Sequence, residues 1–184
     1  MEVIALAIPD VKVLIPKRFG DQRGFFSEVY NRAAFQSAGI GGEFVQDNHS
    51  LSAQKGVVRA LHYQVPPLAQ AKLVRVVRGA ILDVAVDIRR SSPTFGRHVS
   101  EVLSAENWHQ MYVPVGFAHG FVTLEPDTEV LYKVSTVYSP KDERGILWND
   151  PAIGVAWGID PADAVLSDRD RKHPLLRDQA DLFP

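Results

Sequence analysis

The sequence predicts an all-β fold, a double-sheet barrel in a single domain spanning 1–184, and three observations carry that prediction. About nine short β-rich runs follow one another at close spacing. Gly and Pro turn signals punctuate them, and only one stretch reads as a helix. Such spacing suits a sandwich, jelly roll or barrel rather than βαβ units. In chain order, Ile8–Ile15 and Gly24–Tyr30 come first. The helix follows at Arg32–Ala38, with Asn31 available as its N-cap and Gly39 ending it. Val57–Val65 stops at Pro66-Pro67, and Leu73–Val77 is closed by Arg78–Gly79, from which Ala80–Ile88 departs. Ser91–Ser92–Pro93 separates that run from His98–Leu103. Gln110–Val115 runs into the Pro114–Val115–Gly116 turn, and Phe121–Leu124 into Glu125–Pro126–Asp127. Glu129–Val137 is the last strand. From about Trp157 the chain is rich in Asp, Pro and Arg and is expected to wrap the surface as loops and a short helix.

Composition narrows the function. The 184 residues carry 20 Lys+Arg against 22 Asp+Glu, a formal net charge of −2. Charge this balanced argues against a nucleic-acid or membrane-surface coat, while leaving room for a small basic pocket. There is no cysteine, which removes disulfides, thiolate catalysis and Cys-ligated zinc. No apolar run approaches the ~20 residues that cross a bilayer, and no signal-peptide pattern opens the chain. The expectation is a soluble cytoplasmic protein.

The residues that could carry chemistry cluster in a few strands. Strand parity puts Ala60, His62 and Gln64 on one face and Leu61 and Tyr63 on the other. A lone histidine here reads as a partly buried core residue, but Lys72, Arg59 and His119 are expected close by. Two histidines on neighbouring strands raise a metal, yet Gln64 and Lys72 stand where further ligands would be wanted, and an ammonium repels a divalent cation. The site reads as metal-free. Tyr132 and Tyr138 share parity and could face one cavity. A phenol, with its ordinary pKa near ~10, is a competent proton donor to an enolate. Asp83 and Asp87 share a face of an apolar strand, so each needs a partner; His119 is a natural one for Asp83, and an ion pair at the sheet edge is the alternative.

These motifs, in order, match one family. Pro16–Glu28, Phe44–Ser50, Arg59–Gln64, Asp87–Gly96, Pro114–Phe121, Leu131–Lys133, Ile146–Asp150 and Leu166–Asp170 together resemble the dTDP-4-dehydrorhamnose 3,5-epimerases. The resemblance implies a cupin-type double-stranded β-helix (jelly roll) with a short helix and a looped C-terminal segment. It implies cofactor-independent epimerisation at C3 and C5 of a dTDP-4-keto-6-deoxyhexose, with relatives that invert only one centre as the alternative. A sugar-nucleotide-binding cupin without activity and a metal-dependent cupin oxygenase are rivals from other classes. By resemblance His62 is the base, Tyr132 the acid, Asp170 the partner of His62, and Lys72 the stabiliser of the C4 oxyanion. Arg23, Arg59 and Arg169 resemble pyrophosphate positions, and Gln46, Asn48, Glu28 and Glu143 hydrogen-bonding ones. Tyr138 would stack on thymine, Phe19 and Phe26 would form apolar walls, and His119 would touch the sugar. The family forms homodimers with exchanged N-terminal strands, so Arg23, Phe26 and Glu28 are expected to serve the partner's site.

Three positions depart from the family pattern. Ala60 and Tyr63 stand where glycine and phenylalanine are usual, and Arg169 where lysine is common. Tyr63 therefore brings a hydroxyl that needs a partner. Arg59 and His62 also have opposite parity, so both reach one site only with a bulge.

Overall fold

The computed structural model describes residues 1–184. Thirteen strands form in chain order: β1 (Glu2–Ala5), β2 (Lys12–Ile15), β3 (Arg18–Asp21), β4 (Gly24–Ser27), β5 (Gln46–Ser52), β6 (Val58–Gln64), β7 (Lys72–Arg78), β8 (Ala80–Asp87), β9 (His98–Ser104), β10 (Gln110–Val113), β11 (Phe117–Thr123), β12 (Thr128–Val134) and β13 (Glu143–Gly145). The single α-helix, α1 (Arg32–Ser37), lies between β4 and β5. Its start is fixed by the Asn31 side chain, which accepts from Ala34 N at 3.2 Å, and the chain leaves it through Gly39 at φ 71°.

Two antiparallel sheets make the barrel. One has six strands in the order β1-β2-β10-β7-β12-β5, the other five in the order β13-β6-β11-β8-β9. The hairpin β3–β4 stands apart as a two-stranded sheet. Alternation along the strands sorts the side chains into layers. Val74 and Val76 of β7, Ile81 and Ala85 of β8, Met111 of β10, Phe117 and Phe121 of β11 and Val130 of β12 fill the space between the sheets. Residues of opposite parity pack outward. Leu73 and Tyr112 meet Phe35 of α1 outside the six-stranded sheet. Outside the five-stranded sheet, Leu61, Tyr63, Val84, Val86 and Val122 meet Trp148, Trp157, Leu176 and Phe183 from the C-terminal segment. Burying each large apolar side chain is worth about 1.5–3 kcal/mol. The C-terminal wrap is thus a third hydrophobic layer.

The expected strands are present with shifted ends, and four more appear: β1, β3, β5 and β13. The Ile8–Ile15 run reduces to β2, because Ile8 and Val11 close a backbone turn (Val11 N to Ile8 O, 3.0 Å). Glu129–Val137 ends at Val134. In the C-terminal segment, expected as loops and a short helix, the helical pieces are three 3-10 turns, at Pro161–Asp163, Asp170–Lys172 and Leu176–Asp178.

Candidate active site

A cavity of about 480 Å³ opens between the two sheets, lined from β6, β7, β11 and β12. His62, Lys72, His119, Tyr132, Arg59, Arg169 and Asp170 all line it. The strands explain why they meet. Lys72 shares inward parity with Val74 and Val76 on β7, and Tyr132 shares it with Val130 on β12. His119 follows Phe117 inward on β11.

β6 departs from simple alternation. It pairs His62 with His119 and Arg59 with Phe121, so three steps along β6 answer two along β11. This bulge lets Arg59 and His62 reach the same cavity. It also corrects the expected parity: Ala60 turns away from His62 and joins Leu61 and Tyr63 in the outer layer. The Ala60 methyl lies against the bare α-carbon of Gly120, where any Cβ would overlap it. Gln64 is buried away from the cavity, donating to Leu68 O at 2.6 Å and accepting from Ser139 N at 2.7 Å. The extra hydroxyl of Tyr63 finds its partner in Gln179 Oε1, 3.1 Å away.

Two histidine–carboxylate pairs face the cavity. His62 Nε2 lies 2.6 Å from Asp170 Oδ1, and His119 Nε2 lies 2.7 Å from Asp83 Oδ1. Burial pushes the Asp170 carboxyl upward, but contacts from His173, His62 and Ser167 outweigh it and hold the group far below the usual carboxylate range. His119 is pushed down by burial, with Asp83 only partly offsetting the shift, so its imidazole is neutral near pH 7. Lys72 Nζ donates to His62 O at 3.3 Å, and burial lowers its pKa to about 8. Tyr132 is pushed up by burial, with Arg59 opposing, and so keeps its proton.

At the cavity's edge Glu143 accepts from Tyr138 Oη at 2.6 Å and pairs with Arg169 at 2.7 Å. Tyr138 lies past the end of β12, so it reaches this region through Glu143 and not by sharing the Tyr132 face. Gln46 and Asn48 sit on β5 beside β12, bonded to each other at 2.7 Å, with Asn48 opposite Tyr132. Gln46 also accepts from Tyr138 N.

Phe19, Arg23, Phe26 and Glu28 do not line this cavity. Phe19 and Phe26 lie on the β3–β4 hairpin, 55% and 71% exposed. Arg23, at its turn, pairs with Asp21, and Glu28 accepts from Asn31 at 3.2 Å. Asp87 is clamped by Arg89, Ser92 and Thr94 instead of facing the cavity.

Sequence reasoning missed Ser50, Ser167 and Leu166 on the cavity wall. It also missed His173, whose ligand atom, with those of His62 and Asp170, lies in one group within 4.8 Å. The Asp-x-x-His spacing at 170–173 was the available signal, since residues three apart eclipse across a 3-10 turn.

The arrangement offers a histidine supported by a carboxylate on one sheet, and on the other a protonated phenol with a mostly charged lysine on the neighbouring strand. Comparison with known proteins shows the family to which the chain is similar. A family model described as dTDP-4-dehydrorhamnose 3,5-epimerase matches residues 5–178. The chain is 55% identical to the dTDP-4-dehydrorhamnose 3,5-epimerase of Salmonella typhimurium, covering 98% of this chain and 97% of that protein. It is 53% identical to the Pseudomonas aeruginosa enzyme over the full length of both. The crystal structure of the Legionella pneumophila dTDP-6-deoxy-D-glucose-3,5-epimerase, in complex with dTDP-4-keto-L-rhamnose, superposes with a TM-score of 0.94 at 43% identity. It covers 100% of this chain and 97% of that one.

Proposed function

The chain belongs to the dTDP-4-dehydrorhamnose 3,5-epimerase family, and from that premise we infer the role of each residue in its cavity. The activity is isomerisation of dTDP-4-dehydro-6-deoxy-D-glucose to dTDP-4-dehydro-L-rhamnose in dTDP-L-rhamnose biosynthesis. Its fold is the cupin-type β-barrel of that family. The C3 and C5 protons of the substrate are both α to the C4 ketone. Each inversion removes one proton to give an enolate and returns one to the opposite face of the same carbon.

His62 is the base. Asp170 accepts at Nε2, which leaves the Nδ1 lone pair to take the proton and supports the imidazolium that forms. Tyr132 is the acid and delivers its proton to the enolate carbon from the other side. The observation that carries this assignment is the provenance of the two groups: His62 comes from the five-stranded sheet and Tyr132 from the six-stranded sheet, across one cavity. Lys72 meets the developing C4 oxyanion with a fixed positive charge, where such preorganised charge is most effective. His119, held by Asp83, contacts the sugar.

Arg59 and Arg169 meet the pyrophosphate with guanidinium forks, and Tyr138, Glu143, Gln46 and Asn48 form the nucleoside side. Phe19, Arg23, Phe26 and Glu28 act across a homodimer, completing the partner's site with the exposed hairpin. The whole chain works as one domain with no metal or cofactor. Incubation with substrate in D₂O tests the reading. Deuterium is expected at both C3 and C5, none with His62→Ala, which still binds dTDP; incorporation at a single carbon, or turnover by His62→Ala, overturns it.

A further inference from the structure

Asp170 and His173 bracket a single 3-10 turn, Asp170–Lys172. Side chains three apart in that geometry leave the same face, and here that face is β6. His173 Nε2 lies 3.4 Å from Asp170 Oδ1, the same oxygen that His62 Nε2 meets at 2.6 Å. The two imidazole rings stand edge to face, with centroids 5.6 Å apart. His173 Nε2 is buried and has no hydrogen-bond partner; its 3.4 Å approach to Asp170 Oδ1 is an ion-pair contact only.

The fold makes room for this second ring. Gly145 lies opposite His62 in the β13–β6 ladder, and any Cβ on it would overlap the ring atoms of His173. The turn is held from both ends: Asp170 N donates to Ser167 Oγ at 3.1 Å, and Leu147 N donates to Pro174 O at 2.8 Å. His173 does not line the cavity, so it reaches the chemistry through Asp170 and through its edge-to-face contact with the His62 ring.

We propose that His173 is a positioning residue for the epimerisation: it shares the Asp170 Oδ1 oxygen with His62, anchors that carboxylate and tempers the proton affinity of the base. The inference rests on the assignment of His62 as that base. One carboxylate oxygen has lone pairs for two donors, so neither imidazole displaces the other. Asp170 meets these two histidines and Ser167, while Lys72, His119 and Glu143, with Arg59, Tyr132 and Arg169 on the shared cavity wall, are the charged or titratable groups around His62. With its Nε2 3.4 Å from the oxygen, His173 takes up part of the negative charge that would otherwise stabilise the His62 imidazolium. Without it the imidazolium is held more tightly and the carboxylate less firmly oriented.

The test is the pH dependence of kcat and KM for His173→Ala and His173→Gln. In His173→Ala kcat is expected to fall roughly tenfold with KM unchanged, because alignment and not binding is lost. The acid limb of the kcat profile is expected to move to higher pH. His173→Gln places a neutral N–H near the oxygen and is expected to restore most of both. Wild-type kcat with an unmoved acid limb in His173→Ala overturns the proposal, as does a glutamine variant no better than alanine. Histidine-ring NMR of the unmodified protein gives a reading that needs no variant: His62 and His173 should both carry their proton on Nε2, and a proton on His173 Nδ1 alone refutes the shared oxygen. Persistent exchange in His62→Ala would instead sink the base assignment itself.

Discussion

Lys72 shows how one side chain couples chemistry to pH. Burial pulls its pKa down to about 8, with Asp83 and Glu143 offsetting part of the shift. It is therefore mostly charged at pH 7 and loses the charge as pH rises through about 8. The kcat profile should show a basic limb there. Lys72→Met should lower kcat by about 10²–10³-fold, as losing a fixed oxyanion stabiliser does, and should lose that limb. A wild-type profile flat to pH 9.5 would reject the role. Stability moves the other way: between about pH 8 and the ordinary lysine range the unfolded chain binds more protons at this group, so its contribution to folding free energy rises with pH. Tyr132 gives a second test. Tyr132→Phe keeps the base but loses the opposite-face donor, so deuterium should still wash into the substrate with retention while inversion falls by about 10²–10⁴-fold. Equal loss of exchange and inversion would count against a separate acid. At this scale His62, Lys72, His119 and Tyr132 were legible as chemistry-bearing residues within strands. Asp170 entered only through resemblance, because it lies 108 residues from its histidine and no local pattern links them.

The β-strands explain what was and was not readable at the next scale. Runs rich in β-branched residues such as Ala80–Ile88 announced themselves, whereas β5, Gln-Asp-Asn-His-Ser-Leu-Ser, is polar and is a strand only because β12 pairs with it along its length. The bulge in β6 was anticipated only as a requirement; the register against β11 supplies it. The β3–β4 hairpin is the element whose function a single chain leaves unused. Phe19, Phe25 and Phe26 are each more than half exposed in the single chain, even though Phe25 meets Trp108 edge-on at 4.8 Å. If the hairpin completes the partner's site, Arg23→Ala and His62→Ala lesions lie in different sites of a mixed dimer. Random pairing of the two inactive variants, after co-expression, should then restore roughly a quarter of wild-type activity, because half the dimers carry one intact site. No restoration in verified mixed dimers would show that Arg23 does not act across the interface.

At the scale of the whole molecule, the near-neutral charge becomes a matter of placement: Arg59, Lys72 and Arg169 converge on one cavity, and the residues outside it are left net acidic. What brings Arg169 there is the C-terminal wrap, and one buried carboxylate ties its middle down. Asp150 is buried between the last strand and that wrap; its Oδ1 accepts from Ala152 N at 2.8 Å and its Oδ2 from Leu176 N at 2.7 Å. Trp157 Nε1 donates to Trp148 O at 2.8 Å and closes the same layer. Asp150→Ala would strand two backbone donors, one of them fully enclosed, at a cost of about 2–4 kcal/mol. For a chain of this size that corresponds to a melting temperature lower by about 5–15 °C. Because Asp170 and His173 ride on the wrap, the loss should also appear as lower kcat well below the melting temperature, with dTDP affinity less affected. Calorimetry and kinetics on Asp150→Ala and Asp150→Asn separate the two effects, since asparagine keeps one carbonyl acceptor and should be intermediate in both. A melting temperature within 2 °C of wild type for the alanine variant would mean that apolar packing against Trp148, Leu176 and Phe183 holds the wrap without Asp150.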